Sequence, residues 1–255
     1  MSVAVVTGGS RGIGAEICMR LAAAGFEVHF CYRQAQRRAE TMLSRLRQRY
    51  PDAAVYGHRA DITDSRALSA FAATVAETGC RVDALVLNAS GGMERDAPPG
   101  YAALVNGEAQ VAVLESFAPL LRPGSAIVYL TSVQSHFFGT IEEFDSYFAI
   151  AQSKHRGEQL IEQWWRTHSS ALALTTVVSD MVEGTPAAML MDLREPAASA
   201  DRRQVALRSG VPLPTVQTIA RQVELAITAE RPPGSYVDHV GAAIETAGTT
   251  TESDR

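Results

Sequence analysis

The stretch TGGSRGIG (7–14) places glycines at 8, 12 and 14 where an apolar run, VAVVT (3–7), gives way to a helical pattern starting at Gly12. Such glycines let the backbone pass close to a pyrophosphate. A helix opening at that point adds free N–H groups and the positive end of its dipole. The chemistry this suits is dinucleotide binding, and charge narrows the dinucleotide. A site for NAD offers a carboxylate at the end of the second strand to the ribose hydroxyls. Here the second strand, VHFCY (28–32), ends in Tyr32 and is followed by Arg33, while Arg11 stands inside the glycine loop. Two guanidinium groups suit a 2′-phosphate, so NADPH is expected over NADH.

A second set of residues lies between 132 and 154. The segment SVQSHFFGTIEEFDSYF (132–148) holds Phe137, Phe138, Phe144 and Phe148 of the chain's eight phenylalanines, together with His136 and Tyr147. Further on come Met181, Met189, Leu190 and Met191. Aromatic faces and flexible thioethers suit a large, flat, apolar ligand, and no Arg cluster awaits a small carboxylate. His136, Phe137, Phe138, Ile150, Met181 and Met189 are the expected contacts to that ligand. In SYFAIAQSK (146–154), residues four apart share one helix face. The residue four before Lys154 is Ile150, which has no proton to give.

The elements that position these groups follow from hydrophobic period. Short β-branched runs alternate with helical stretches: strands at 3–7, 28–32, 53–58, 84–88, 126–132, 172–178 and 235–240, and helices at 12–24, 35–49, 65–78, roughly 101–121 and 147–168. Strands apolar on both faces, alternating with helices, imply a seven-stranded, mainly parallel sheet covered on both sides, an α/β doubly wound fold. One domain, 1–248, is expected, with an irregular lid at about 184–214 and a flexible tail at 249–255. The chain has 255 residues, 46% hydrophobic and 20% charged, with net charge −5. The basic run Arg33–Arg49 is interrupted and reads as a solvated helix face, which excludes nucleic acid as partner. Cys18, Cys31 and Cys80 are far apart and read as reduced core residues. The scattered histidines have no metal spacing. With no long apolar run and no leader-like N-terminus, a cytoplasmic protein without membrane contact is expected.

In these motifs the sequence resembles the short-chain dehydrogenase/reductase family over nearly its whole length. The resemblance implies a Rossmann-type fold and an NADP-dependent oxidoreductase. It also implies a set of cofactor contacts: Thr7, Gly8, Ser10, Arg11, Gly12, Ile13 and Gly14 in the first turn; Tyr32 and Arg33; Asp61 and Ile62, with Asp61 on the adenine amino group; Asn88, Ala89 and Ser90 where the family has Asn-Ala-Gly; and Lys154, Val182 and Thr185. Asn106 resembles the family's central-helix Asn, Ser132 its active-site Ser and Lys154 the Lys of Tyr-x-x-x-Lys, so the catalytic set is Ser132, Lys154 and Asn106, with Tyr147 as a candidate.

The sequence departs from the family at two places. Ile150 replaces the Tyr acid, whose pKa the Lys would draw down from about 10. Near Ser179-Asp180 the usual Pro-Gly is missing. The substitute proton source is then Tyr147, or Ser132 or His136, or a phenol on the substrate itself. Tyr147 stands seven before Lys154, a spacing similar to that of enoyl-thioester reductases. Chain and pocket together resemble the atypical actinomycete reductases of aromatic polyketides, the angucyclinone type included. The expectation is an NADPH-dependent ketoreductase for a bulky aromatic ketone, with a substrate-derived proton. Its rivals are an NADP(H)-binding sensor without chemistry and an enoyl reductase using Tyr147. A homodimer or homotetramer is expected, with one of Trp164 and Trp165 lying outside the sheet-facing stripe of the long helix.

Overall fold

The computed structural model describes residues 2–34, 36–94, 96–141, 144–168 and 171–241. Ala35, at the expected start of the second helix, and the expected tail lie outside the described residues, as does the expected domain limit at 248.

The elements in chain order are β1 (Val3–Val6), α1 (Gly12–Ala23), β2 (Glu27–Tyr32), α2 (Gln36–Arg49), β3 (Val55–Arg59), α3 (Ser65–Ala76), β4 (Val82–Leu87) and α4 (Tyr101–Ala103). A π-helical segment, Leu104–Glu108, then runs into α5 (Ala109–Phe117). There follow β5 (Leu121–Ser132), α6 (Val133–His136), α7 (Phe148–His168), β6 (Ala173–Ser179), α8 (Pro186–Arg194), α9 (Pro196–Ser209), α10 (Val216–Thr228) and β7 (Gly234–Val240). The seven strands lie in the order β3-β2-β1-β4-β5-β6-β7, and every pairing is parallel. The doubly wound fold expected from the sequence is the observed one.

The apolar runs account for the layers. Residues on one face of the strands pack with Leu68 and Phe71 of α3, Val113 and Phe117 of α5, and Ile161 and Trp164 of α7. Those on the other face pack with Ile17 and Leu21 of α1, Met42 of α2, and Ile219 and Val223 of α10. With both faces covered, β1 and β4 are buried along almost their full length. Strand order reverses at β1, and ligands bind at such a switch point, beyond the carboxyl ends of the strands.

Where α7 crosses the π-helical segment, the two backbones touch. The Ala109 N–H donates to the Leu104 carbonyl, five residues back, which marks the π turn. A Cβ at Gly157 would stand 1.9 Å from the carbonyl oxygen of Asn106, so only glycine fits there. The Asn106 side chain completes the junction. Its Oδ1 accepts from Ser90 Oγ at 2.9 Å and from the Gly91 N–H at 3.3 Å. Its Nδ2 donates to the Gly91 carbonyl at 3.0 Å and to Ser153 Oγ at 2.9 Å.

Two local readings change. Residues 184–214 are not irregular but carry α8 and α9. Of α9 only Ser199 and Ala206 are buried, so there is no apolar stripe for a period to reveal. Strand β5 starts at Leu121 and not at 126, because Leu121 pairs with Val82 across a register shift that Arg-Pro-Gly conceals. Of the two tryptophans of α7 only Trp164 belongs to the buried stripe, as expected. Trp164 is buried in the core, and Trp165 turns back to donate its indole N–H to the Leu172 carbonyl at 3.1 Å.

Gly157→Ala tests the backbone contact. Ala is the better helix former by about 1 kcal/mol, so an uncrowded site would gain stability. The contact with Asn106 reverses the sign: a loss of about 1–3 kcal/mol is expected from overpacking against backbone, read as a lower midpoint in denaturant at unchanged slope.

Candidate active site

A cleft of about 2420 Å³ lies along the carboxyl ends of the strands, far above the 300–1,000 Å³ common for one small ligand. Its floor at the centre is the junction of β1 and β4. Thr7 Oγ1 accepts from the Asn88 and Ala89 N–H groups, both at 3.0 Å, and Asn88 Nδ2 donates to the carbonyls of Thr7 at 2.9 Å and Gly8 at 3.2 Å. These bonds hold the glycine turn in place. Gly8 and Gly12 have φ of +70° and +54°, and a Cβ at Gly14 would stand 2.3 Å from the Gly8 carbonyl oxygen. Helix α1 has no side-chain cap, so its first-turn N–H groups lack partners within the helix, while Gly12, Ile13 and Gly14 line the cleft. This arrangement fits the pyrophosphate of a dinucleotide.

Of the residues expected at the cofactor, Gly8, Ser10, Arg11, Gly12, Ile13, Gly14, Tyr32, Arg33, Asp61, Ile62, Asn88, Ala89, Ser90, Lys154, Val182 and Thr185 all line the cleft. Thr7 lies beneath it, fully buried, and acts through the bonds just described. Asp61 gives Oδ1 to the N–H and hydroxyl of Thr63, at 3.0 and 2.8 Å. Cys31 also lines the cleft, but burial pushes its thiol up to about 11, which leaves it a packing residue rather than a nucleophile.

At the other end of the cleft stand Ser132, Tyr147, Ile150 and Lys154. Ser132 ends β5 and caps α6: its Oγ accepts from the Ser135 N–H at 3.2 Å and shares a bond of 2.7 Å with the buried Ser135 Oγ. Lys154 makes no hydrogen bond or ion pair from its ammonium among the described residues. Ile150 is 4% exposed and packs with Phe144, Tyr147, Ala151 and Met191. Tyr147 is 7% exposed and lines the cleft, with no protein partner for its hydroxyl among the described residues. Asn106 lies below, with both amide atoms committed to the protein, and serves as a positioning group.

The structure separates several expected substrate contacts from the cleft. The single turn of α6 and the turn after it carry His136 and Phe137 onto the β7 side. There His136 Nδ1 bonds Glu158 Oε1 at 2.6 Å and Phe137 stacks on His239 with centroids 5.9 Å apart. Phe138 packs against Phe148 and His155. Met189 is 62% exposed and turns to solvent, while its neighbours Leu190 and Met191 line the cleft instead. Ile150 and Met181 do line it, as expected.

Several lining residues were not anticipated. Arg37 and Arg38 of α2 join Arg33 at the adenosine end, where the basic run had read as merely solvated. Asp180 and Arg202 lie near the chemical end, where Arg202 Nε donates to Asp180 Oδ1 at 2.9 Å and Nη2 donates to Oδ2. The missing Pro-Gly was the only sign of this pair in the sequence. Among the described residues, no group of three or more His, Cys, Asp or Glu is placed to hold a metal, and no helix is long and apolar enough to cross a membrane.

Solved structures share the architecture. A levodione reductase superposes with a TM-score of 0.79 at 19% identity, covering 94% of this chain and 96% of that one. A short-chain dehydrogenase/reductase from Serratia marcescens BCRC 10948 gives 0.75 at 26% identity, covering 94% and 97%. An NADPH-bound short-chain oxidoreductase from Pseudomonas aeruginosa PAO1, described as containing an atypical catalytic center, gives 0.73 at 24% identity, covering 93% and 95%. The sequence pattern of the family described as short chain dehydrogenase matches residues 2–164, well over half of the chain. A nucleotide cradle at the switch point, a Ser–Lys pair facing it and that match lead to one assignment: the chain belongs to the short-chain dehydrogenase/reductase family of oxidoreductases.

Proposed function

We propose that the protein is an NADPH-dependent ketoreductase acting on a bulky aromatic ketone of polyketide type. The observation that carries this reading is one continuous cleft, with arginines at one end and a cluster of aromatic and aliphatic side chains at the other. Arg11, Arg33, Arg37 and Arg38 line the first end. Phe144, Tyr147, Ile150, Met181, Leu190 and Met191 line the second. The relative from Pseudomonas aeruginosa is NADPH-bound, which agrees with that charge distribution. NADPH, when bound, supplies the hydride. The chain supplies the rest. The glycine turn and the N-terminus of α1 take the pyrophosphate, the arginines the 2′-phosphate and Asp61 Oδ2 the adenine amino group. Lys154 takes the ribose hydroxyls. With Ser135 as donor in the Ser132–Ser135 bond, the Ser132 proton is free to point at the carbonyl oxygen.

The proton that completes the alcohol comes from a phenol beside the ketone on the substrate itself. A positioned acid contributes about 10²–10⁴ in rate, and holding the two reactants together about 7–11 kcal/mol, so a borrowed proton is enough. Tyr147 gives a second reading, favoured by its unpartnered hydroxyl in the cleft wall; an enoyl reductase would use it in the same way. Exposed Phe148, packed at a tilt against Phe138 at the outer side of α7, supports a homo-oligomer built on that helix, a dimer or tetramer.

Loss of nicotinamide absorbance with purified protein and a panel of aromatic polyketide ketones tests the reading. Ketones carrying a peri-hydroxyl are expected to turn over at least about 10²-fold faster than their methyl ethers. Cofactor binding without turnover across the panel points instead to a sensor.

Tyr147→Phe separates the two proton sources. A kcat within about threefold of wild type is expected for a substrate-derived proton, whereas a fall of about 10²–10⁴ with intact cofactor affinity assigns the acid to Tyr147.

Ile150→Tyr is expected to bring no large gain on ordinary ketones and to lower the unfolding midpoint. Ile150 fills a packed site, and its Cδ1 would be only 2.8 Å from a Cβ at Gly92.

A further inference from the structure

Glu94 and Tyr101, from the stretch after β4, line the arginine-rich end of the cleft and meet Arg33 there. Arg33 Nη1 donates to Tyr101 Oη, and the guanidinium lies over the tyrosine ring, 5.1 Å from its centroid. Arg33 Nη2 stands 3.4 Å from Glu94 Oε1. The other carboxylate oxygen, Oε2, accepts from the Gly92 N–H at 2.6 Å, so the carboxylate is fixed by its own loop. Gly91 leaves room for both groups: a Cβ there would be 3.0 Å from the Tyr101 ring and 3.3 Å from Glu94 Oε1. Arg33, Glu94 and Tyr101 all line the cleft. Burial outweighs the nearby guanidinium and raises the Tyr101 phenol, which therefore meets Arg33 uncharged; the negative partner is Glu94.

This placement bears on cofactor choice. A phosphate monoester carries about two negative charges near neutrality. To use Arg33, a 2′-phosphate must take it from Glu94 and then remain beside that carboxylate. An unphosphorylated ribose meets no such repulsion, and finds in Glu94 the acceptor that β2 does not provide. We infer that Glu94 is a specificity-determining residue, which holds Arg33 in competition with the cofactor's 2′-phosphate and so narrows the preference for NADP(H) over NAD(H). The inference rests on the reading that Arg33 receives that phosphate.

Calorimetric titration of the full chain with NADP⁺ and with NAD⁺ tests it, using Glu94→Gln, Arg33→Gln and the double variant. Glu94→Gln is expected to bind NADP⁺ about fivefold more tightly, the upper end for a partly exposed ion pair, and NAD⁺ no more tightly than wild type. In the Arg33→Gln background the gain is expected to vanish, since the two side chains are in contact and their effects are not additive. An unchanged NADP⁺ affinity in Glu94→Gln, an equal gain for both cofactors, or a gain that persists in full without Arg33 overturns the inference. In each of these cases a selective loss of NADP⁺ affinity in Arg33→Gln leaves the NADPH reading standing. Loss of neither cofactor in Arg33→Gln overturns both.

Discussion

The approach of α7 to the π-helical segment fixes the rest of the chemical end. With the Asn106 carbonyl oxygen 1.9 Å from where a Cβ at 157 would stand, the helix axis can come no closer, and any other residue would push it away. The π turn adds one residue to the helix and rotates Asn106 so that its carbonyl meets α7 while its amide reaches Ser90, Gly91 and Ser153. An internal hydrogen bond contributes about 1 kcal/mol net, but a buried amide left without partners costs more, so the four bonds act as a unit. Ser153 in turn donates to the Ile150 carbonyl at 2.8 Å. The face of α7 that presents Ile150 and Lys154, with Tyr147 just ahead of the helix, is thereby set against the loop after β4 before any ligand arrives.

The helices over the chemical end are held differently. Helices α8 and α9 bury little apolar surface, and charge fastens them. Arg202 joins Asp180 at the end of β6, Arg203 joins Glu183 and Asp192 at 2.7 Å each, and the Glu195 carboxylate accepts the N–H groups of Asp145 and Ser146 ahead of α7. Asp180 is 6% exposed, so losing its partner would leave a charge with little water, whereas the half-buried Arg203 pairs matter less. The same Asp180–Arg202 pair lines the cleft beside Met181, as do Asp145, Glu195 and Asp201.

Local signals were legible in the sequence, and signals that need two distant segments were not. The glycine turn, the strand periods and the cofactor residues are written in consecutive residues, and the expected contacts came together with Thr7 alone lying beneath the floor. The contacts expected for the ligand fared worse. His136, Phe137 and Phe138 follow Ser132 closely, but one turn of helix rotates them away, and Met189 faces solvent on a helix that has no stripe. Glu94 and Tyr101 gave no signal, because what matters about them is their nearness to Arg33, sixty or more residues earlier. Helices α8 and α9, where an irregular lid was expected, were not legible as helices, since the buried residues of α9 are as small as Ser199 and Ala206.

Ile150 and Glu94, which seem unrelated in the sequence, belong to one piece of packing. Gly92 has φ of +104° and would meet Ala102 and Ile150 if it carried a Cβ. That conformation turns its N–H towards Glu94 Oε2. The loop after β4 therefore rests on an apolar side chain at 150 while it holds a carboxylate over Arg33. A phenol at 150 would need the space this loop occupies, and a loop displaced by it would carry Glu94 away from the adenosine end. Ile150 thus also supports the turn that holds Glu94 beside Arg33. The apolar side chain at 150 therefore packs the wall of the cleft as well as lining it.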